Sequence, residues 1–174
     1  MQLKNKAIII ALTCGSLFSA ASSANSATMN ITGKIIAGPC VVNGGTDTLD
    51  VNLGDSIQAD TLATSGSATD WTNFSLALTS CPSSTTSFSV AFSGTADDTV
   101  TSNYKNSGTA TNVSIALTTQ DGVTTLGNGS SLANVAIPTD THAYDLKLRA
   151  RAVSKGSVMP GTISSQVQAT FTYQ

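Results

Sequence analysis

The stretch Gly161-Thr162-Ile163-Ser164-Ser165-Gln166-Val167-Gln168-Ala169-Thr170-Phe171-Thr172-Tyr173-Gln174 decides the fold. Ile163, Val167, Ala169, Phe171 and Tyr173 share one phase of a two-residue period, and Ser164, Gln166, Gln168, Thr170 and Thr172 share the other. Successive side chains of an extended chain point to opposite faces, so this alternation describes a strand with one face buried and one face wet. The sequence stops on that strand, one residue after Tyr173.

The same pattern recurs upstream. Phe74, Leu76 and Leu78 alternate with Ser75 and Ala77; Phe88, Val90 and Phe92 with Ser89 and Ala91. Val113, Ile115 and Leu117 alternate with Ser114 and Ala116, and Tyr144, Leu146 and Leu148 with Asp145 and Lys147. Turn-forming pairs separate the runs: Asn43-Gly44, Cys81-Pro82, Asp121-Gly122, Asn128-Gly129, Lys155-Gly156 and Pro160-Gly161. No window sustains a helical period. The expected architecture is therefore all-β, an antiparallel immunoglobulin-like β-sandwich. Such a sandwich closes with one more strand, for which no residues remain after Gln174. The expected fold is incomplete, lacking its C-terminal strand. It should expose an apolar groove and a row of unpaired backbone groups beside the last strand.

The other end also alternates. Ala27, Met29, Ile31, Gly33 and Ile35 lie on one phase, and Thr28, Asn30, Thr32 and Lys34 on the other. Two readings are open: a strand within its own domain, or an arm that pairs elsewhere. Ahead of it, Lys4 and Lys6 precede an apolar run from Ala7 that continues to Phe18, followed by Ser22-Ser23-Ala24. That is the pattern of a secretory signal peptide, residues 1–24. The run is short of the roughly 20 apolar residues that span a bilayer.

Removal of the signal takes Cys14 with it. Cys40 and Cys81 remain, and in an oxidising compartment they have one possible pairing. A loop of this size contributes roughly 3–4 kcal/mol in the chain-entropy treatment. Six basic residues then stand against ten Asp and no Glu, a net charge of −4. This excludes the basic stripe of a nucleic-acid binder and the basic amphipathic helix of a peripheral membrane protein. No catalytic set is expected: His142, the single histidine, reads as a strand-edge surface residue, Asp97-Asp98 reads as a turn, and Asp47, Asp50 and Asp55 lack the spacing of a calcium loop. No metal or other cofactor, and no small-molecule substrate, is expected. Trp71 reads as a core anchor, with a stacking platform for a sugar as the sharper alternative.

Several segments together resemble one family. They are Gly33-Lys34-Ile35-Ile36-Ala37-Gly38-Pro39-Cys40, Val51-Asn52-Leu53-Gly54-Asp55, and Phe74 to Pro82 with its Leu-Thr-Ser-Cys-Pro ending. Phe92 to Asp97 and Tyr104 to Ala110 follow, with Gly161 fourteenth from the end and Tyr173 penultimate. The whole mature chain is similar to the chaperone–usher pilins. The Tyr104-Lys105-Asn106 segment tilts the resemblance toward the minor tip-fibrillum adaptor subunits of type 1 fimbriae.

The resemblance implies a structural subunit rather than an enzyme, exported through the periplasm to a surface fimbrium. Residues 25–36 would be an N-terminal donor-strand extension, with Ala27, Met29, Ile31, Gly33 and Ile35 as its buried phase. Residues 37–174 would be the pilin domain. Gly161, Ile163, Val167, Ala169, Phe171 and Tyr173 would border the groove that a periplasmic chaperone fills first and a neighbouring subunit fills later, at an outer-membrane usher. The tip adhesin could be one such neighbour. The major rod pilin and a secreted lectin-like adhesive module are the alternatives.

Overall fold

The computed structural model describes residues 27–174, so the expected signal peptide and Cys14 lie outside the described residues. The chain divides into two units, residues 1–34 and Ile35–Gln174. Within the first, Ala27 to Lys34 are exposed and form no strand despite their alternation. Period-two patterning fixes which side chains could be buried together; a strand also needs a neighbour to take its backbone bonds.

The second unit holds eight strands: β1 (Val41–Val42), β2 (Thr72–Thr79), β3 (Ser87–Gly94), β4 (Tyr104–Lys105), β5 (Thr111–Thr119), β6 (Ser131–Ala136), β7 (Tyr144–Met159) and β8 (Val167–Tyr173). They form a five-stranded sheet in the order β1-β2-β7-β5-β4 and a three-stranded sheet in the order β6-β3-β8. All pairings are antiparallel. The alternation described above sends Leu78, Leu146, Leu148, Ile115 and Leu117 of the larger sheet against Phe88, Val90 and Phe92 of the smaller one. Each fully buried Leu, Val or Phe contributes about 1.5–3 kcal/mol. The fold is the expected all-β, immunoglobulin-like sandwich.

Three expectations need correction. Lys155-Gly156 does not end a strand. It lies inside the 16-residue β7, with Gly156 at φ +102° and Ser157 at φ +50°. The pairing with β5 slips there, from Val113↔Ser154 to Thr111↔Met159, so the glycine is absorbed as a bulge rather than a reversal. Strand β8 begins at Val167, and Ile163 precedes it in a segment held by other contacts. His142 sits not on a strand edge but, half-buried, in the turn before β7 at φ +47°. Strand β6 had no period-two signal. A register shift opposite Phe88–Val90, with Asn134 at φ +53°, lets Leu132 and Val135 both reach the core three residues apart.

Candidate functional site

The C-terminal strand β8 pairs on one side only, with β3, and is the edge of its sheet. Ser87 and Gln174 exchange both backbone bonds, at 3.1 and 2.9 Å. In an antiparallel ladder such pairs alternate with non-bonded ones, so Ser89↔Thr172, Ala91↔Thr170 and Ser93↔Gln168 are the bonded pairs. It follows that Val167, Ala169, Phe171 and Tyr173 turn their N–H and C=O groups outward, to the open edge. The side chains of Ala169, Phe171 and Tyr173 pack inward against the core. One set of residues thus supplies free backbone bonds along the edge and apolar surface beneath it.

Facing this edge is a second lip, residues 46–57. Among the described residues, no backbone–backbone hydrogen bond is made by residues 47–57. Asn43 anchors the start of the lip by donating from Nδ2 to the Thr48 carbonyl at 2.8 Å. Val51 and Leu53 are half-buried while Asp50 and Asn52 are exposed, so this part of the lip alternates as a strand does, and Ile57 turns inward again after the exposed Gly54, Asp55 and Ser56. Between the lips lies a groove of about 1080 Å³. Its floor is the core itself: Phe74, Leu76, Leu148 and Ala150 from the larger sheet and Phe92 from the smaller.

One end of the groove is built by a backbone crossing. A Cβ on Gly161 would overlap the Ala110 amide nitrogen, and one on Gly108 would overlap the Thr162 carbonyl, so both positions require glycine. Asn106 ties the crossing together. Its Nδ2 donates to the carbonyls of Ala110 (2.7 Å) and Thr162 (3.3 Å), and its Oδ1 accepts from Gly108 N–H (3.0 Å) and Ser164 N–H (2.8 Å). This places Ile163 against the core on the way into β8.

An open groove between an edge strand and an unpaired lip is what a sandwich one strand short presents. The family model described as "Fimbrial protein" matches residues 29–174. The chain belongs to the fimbrial protein family. It is 34% identical to the S-fimbrial adhesin protein SfaS of Escherichia coli O6:K15:H31 (strain 536 / UPEC), over 98% of this chain and 99% of that one. It is also 34% identical to Protein FimG of Escherichia coli (strain K12), over 90% of each chain. The crystal structure of the P pilus rod subunit PapA superposes with a TM-score of 0.65 at 14% identity, covering 79% of this chain and 100% of that one. That likeness is one of fold.

In this fimbrial subunit, Gly161, Ile163, Val167, Ala169 and Phe171 line the groove. Tyr173 stands beyond the lined cavity, its ring stacked on Phe171 at 6.4 Å. Burial raises the pKa of its hydroxyl, and the neighbouring Cys40 backbone partly offsets the rise. Cys40 and Cys81 are bonded, linking the residue before β1 to the second residue after β2. Met29 and Ile31 are 83% and 92% exposed in the first unit, and Ile35 is fully exposed in the second.

Sequence reasoning missed the second lip as a wall of the groove. Its signal was present: Leu49, Val51 and Leu53 alternate with Asp50 and Asn52. Reasoning also missed the buried ion pair of this pilin. Asp97, 1% exposed, accepts from Lys155 Nζ at 2.7 Å and from the amides of Thr99 and Val100. The Trp71 ring has the guanidinium carbons of Arg149 and Arg151 at 4.4 and 4.2 Å from its centroid. The protein's own cations occupy the ring, which sets Trp71 as a surface anchor of β7 rather than a platform open to sugar.

Proposed function

We propose that this fimbrial subunit polymerises by donor-strand exchange. Its groove takes an extended strand from a neighbour, and its own residues 25–36 fill the groove of another subunit. The observation that carries this reading is the pairing of an edge strand, β8, with a second unpaired lip across an apolar floor. One inserted strand would satisfy both rows of backbone groups and cover Phe74, Leu76 and Phe171 at once. Strand addition of this kind, of which chaperone–pilin complementation is a known instance, draws affinity from main-chain bonds and register from alternate side chains. Met29, Ile31 and Ile35 would each contribute about 1.5–3 kcal/mol on burial. A periplasmic chaperone would hold the groove during export and an usher would direct the exchange, delivering the subunit to the cell surface.

Within the fibre we assign it the minor adaptor position at the tip, on the strength of the Tyr104–Ala110 segment and its Asn106 clamp. Counting copies per fibre by quantitative mass spectrometry of isolated fimbriae tests this: one or a few copies supports the adaptor, hundreds would make it the rod. An adhesive role is the second reading, supported by the name of the relative SfaS. It requires that fibres lacking only this subunit lose binding to host cells while retaining their other subunits.

A further inference from the structure

The floor of the groove is apolar and matches the apolar phase of an inserted strand. Between strands that share that phase, the charge of the rim can discriminate through the phase that faces outward. The residues lining the groove include Asp47, Asp50 and Asp55 and not one Lys or Arg. Asp60 lines the adjoining cavity of about 420 Å³, again with no basic residue. All four carboxylates are exposed. Among the described residues the ion pairs are Lys105–Asp98 and Lys155–Asp97, so none of the four rim carboxylates is paired. The asymmetry is marked. The basic side chains of β7, Lys147, Arg149 and Arg151, alternate with its core-facing Leu146, Leu148 and Ala150 and so lie on the opposite face of the sheet.

We propose that the groove selects, among apolar-alternating strands, one whose outward phase carries two or more Lys or Arg. The occupant is then the N-terminal extension of a different subunit rather than the arm of a second copy of this chain. The arm of this chain presents Thr28, Asn30, Thr32 and Lys34 on its outward phase, a single cation. Three like charges along one lip repel an acidic donor and steer a basic one. Exposed charges of this kind act chiefly on the rate of association, and salt screens them. The inference rests on the groove being the strand acceptor.

The test uses the full mature chain, held in its chaperone complex, and synthetic strand peptides. Each peptide keeps the apolar phase Ala-Met-Ile-Gly-Ile and carries three Lys, three Thr or three Asp on the other phase. A fourth peptide is the native arm, residues 27–36. Insertion is followed by loss of bound chaperone. The Lys peptide should insert on the order of tenfold faster than the Thr peptide at low salt, with the Asp peptide slowest. The advantage should collapse at about 0.5 M salt and in the Asp47→Asn/Asp50→Asn/Asp55→Asn variant. Equal rates for the Lys and Thr peptides, or a native arm as fast as the Lys peptide, overturn the selection while leaving the groove as the acceptor. If no peptide of any charge enters, the acceptor reading itself fails.

Discussion

At the scale of single residues, Asp97 and Lys155 form an ion pair whose carboxylate is 1% exposed and whose ammonium side chain is 22% exposed. Asp97 reads as a turn residue, and it is one: its carboxylate caps the amides of Thr99 and Val100. What the sequence hides is the partner 58 residues away, Lys155, which reaches it only because β7 continues past the expected turn. Burial alone would raise the Asp97 pKa, but Lys155 and the two amides outweigh it and hold the carboxyl below its ordinary value. A carboxyl depressed in the folded state contributes stability above the ordinary carboxylate range, and that contribution is lost as pH falls through the folded value. The urea midpoint of the strand-complemented subunit should therefore hold steady from neutral pH downward and fall below about pH 4. Lys155→Met strands a buried carboxylate and should cost about 2–3 kcal/mol at pH 7. Its deficit should narrow on acidification, as the stranded group takes up a proton. A deficit that does not change with pH would show that Lys155 acts through packing alone.

At the scale of elements, the legible strands are those whose buried face is regular. Strands β2, β3, β5 and β8, and the first half of β7, announce themselves by an apolar or aromatic side chain at every second position along most of their length. Strand β6 does not, because its bulge brings Leu132 and Val135 to one face across an odd spacing. The second lip is legible as alternation, yet an unpaired segment cannot be told from a loop until its neighbour across the groove is known. The phase of the β8 ladder is invisible to sequence and has a sharp consequence. The Ala169 N–H faces the open edge, whereas the Thr170 N–H belongs to the ladder with Ala91. A proline removes one donor. Ala169→Pro should leave the subunit folded on its chaperone, with the disulfide formed, but slow and weaken strand insertion, read as chaperone release by peptide. Thr170→Pro, one residue along, should break the β3–β8 ladder and lower the amount of folded subunit recovered. Identical behaviour of the two variants would mean that β8 does not present the edge assigned to it.

At the scale of the whole molecule, the chain reads as two pieces with different needs. Ile35–Gln174 carries its own core and its own covalent tie, while residues 27–34 carry alternating apolar side chains with no partner for them among the described residues. Deleting residues 25–34 should leave a subunit that folds on the chaperone and still accepts a donor peptide, but no longer caps the subunit ahead of it. The measurement is a pair of assays on the truncated form, peptide uptake and incorporation into fibres. Loss of folded protein even with chaperone present would mean that the arm belongs to its own domain. Sequence alone left that choice open, since period two is the same whether a strand's partner is in the same chain or in the next.

The position of the disulfide also bears on how a fibre made of such subunits responds to tension. If residues 25–36 link one subunit to the next as proposed, a pull along them enters the folded unit between Ile35 and Cys40. Without the bond, that force would peel first the two residues of β1, then the unpaired lip, and then β2, one backbone pair at a time. Cys40 instead hands the force to Cys81, 41 residues further on. It reaches the chain between β2 and β3, so β1, the lip and β2 lie on a loop closed by the bond and cannot be peeled from the N-terminal side. If the groove holds a neighbour's strand as proposed, that loop helps it keep its shape while the chain ahead of Cys40 is under tension.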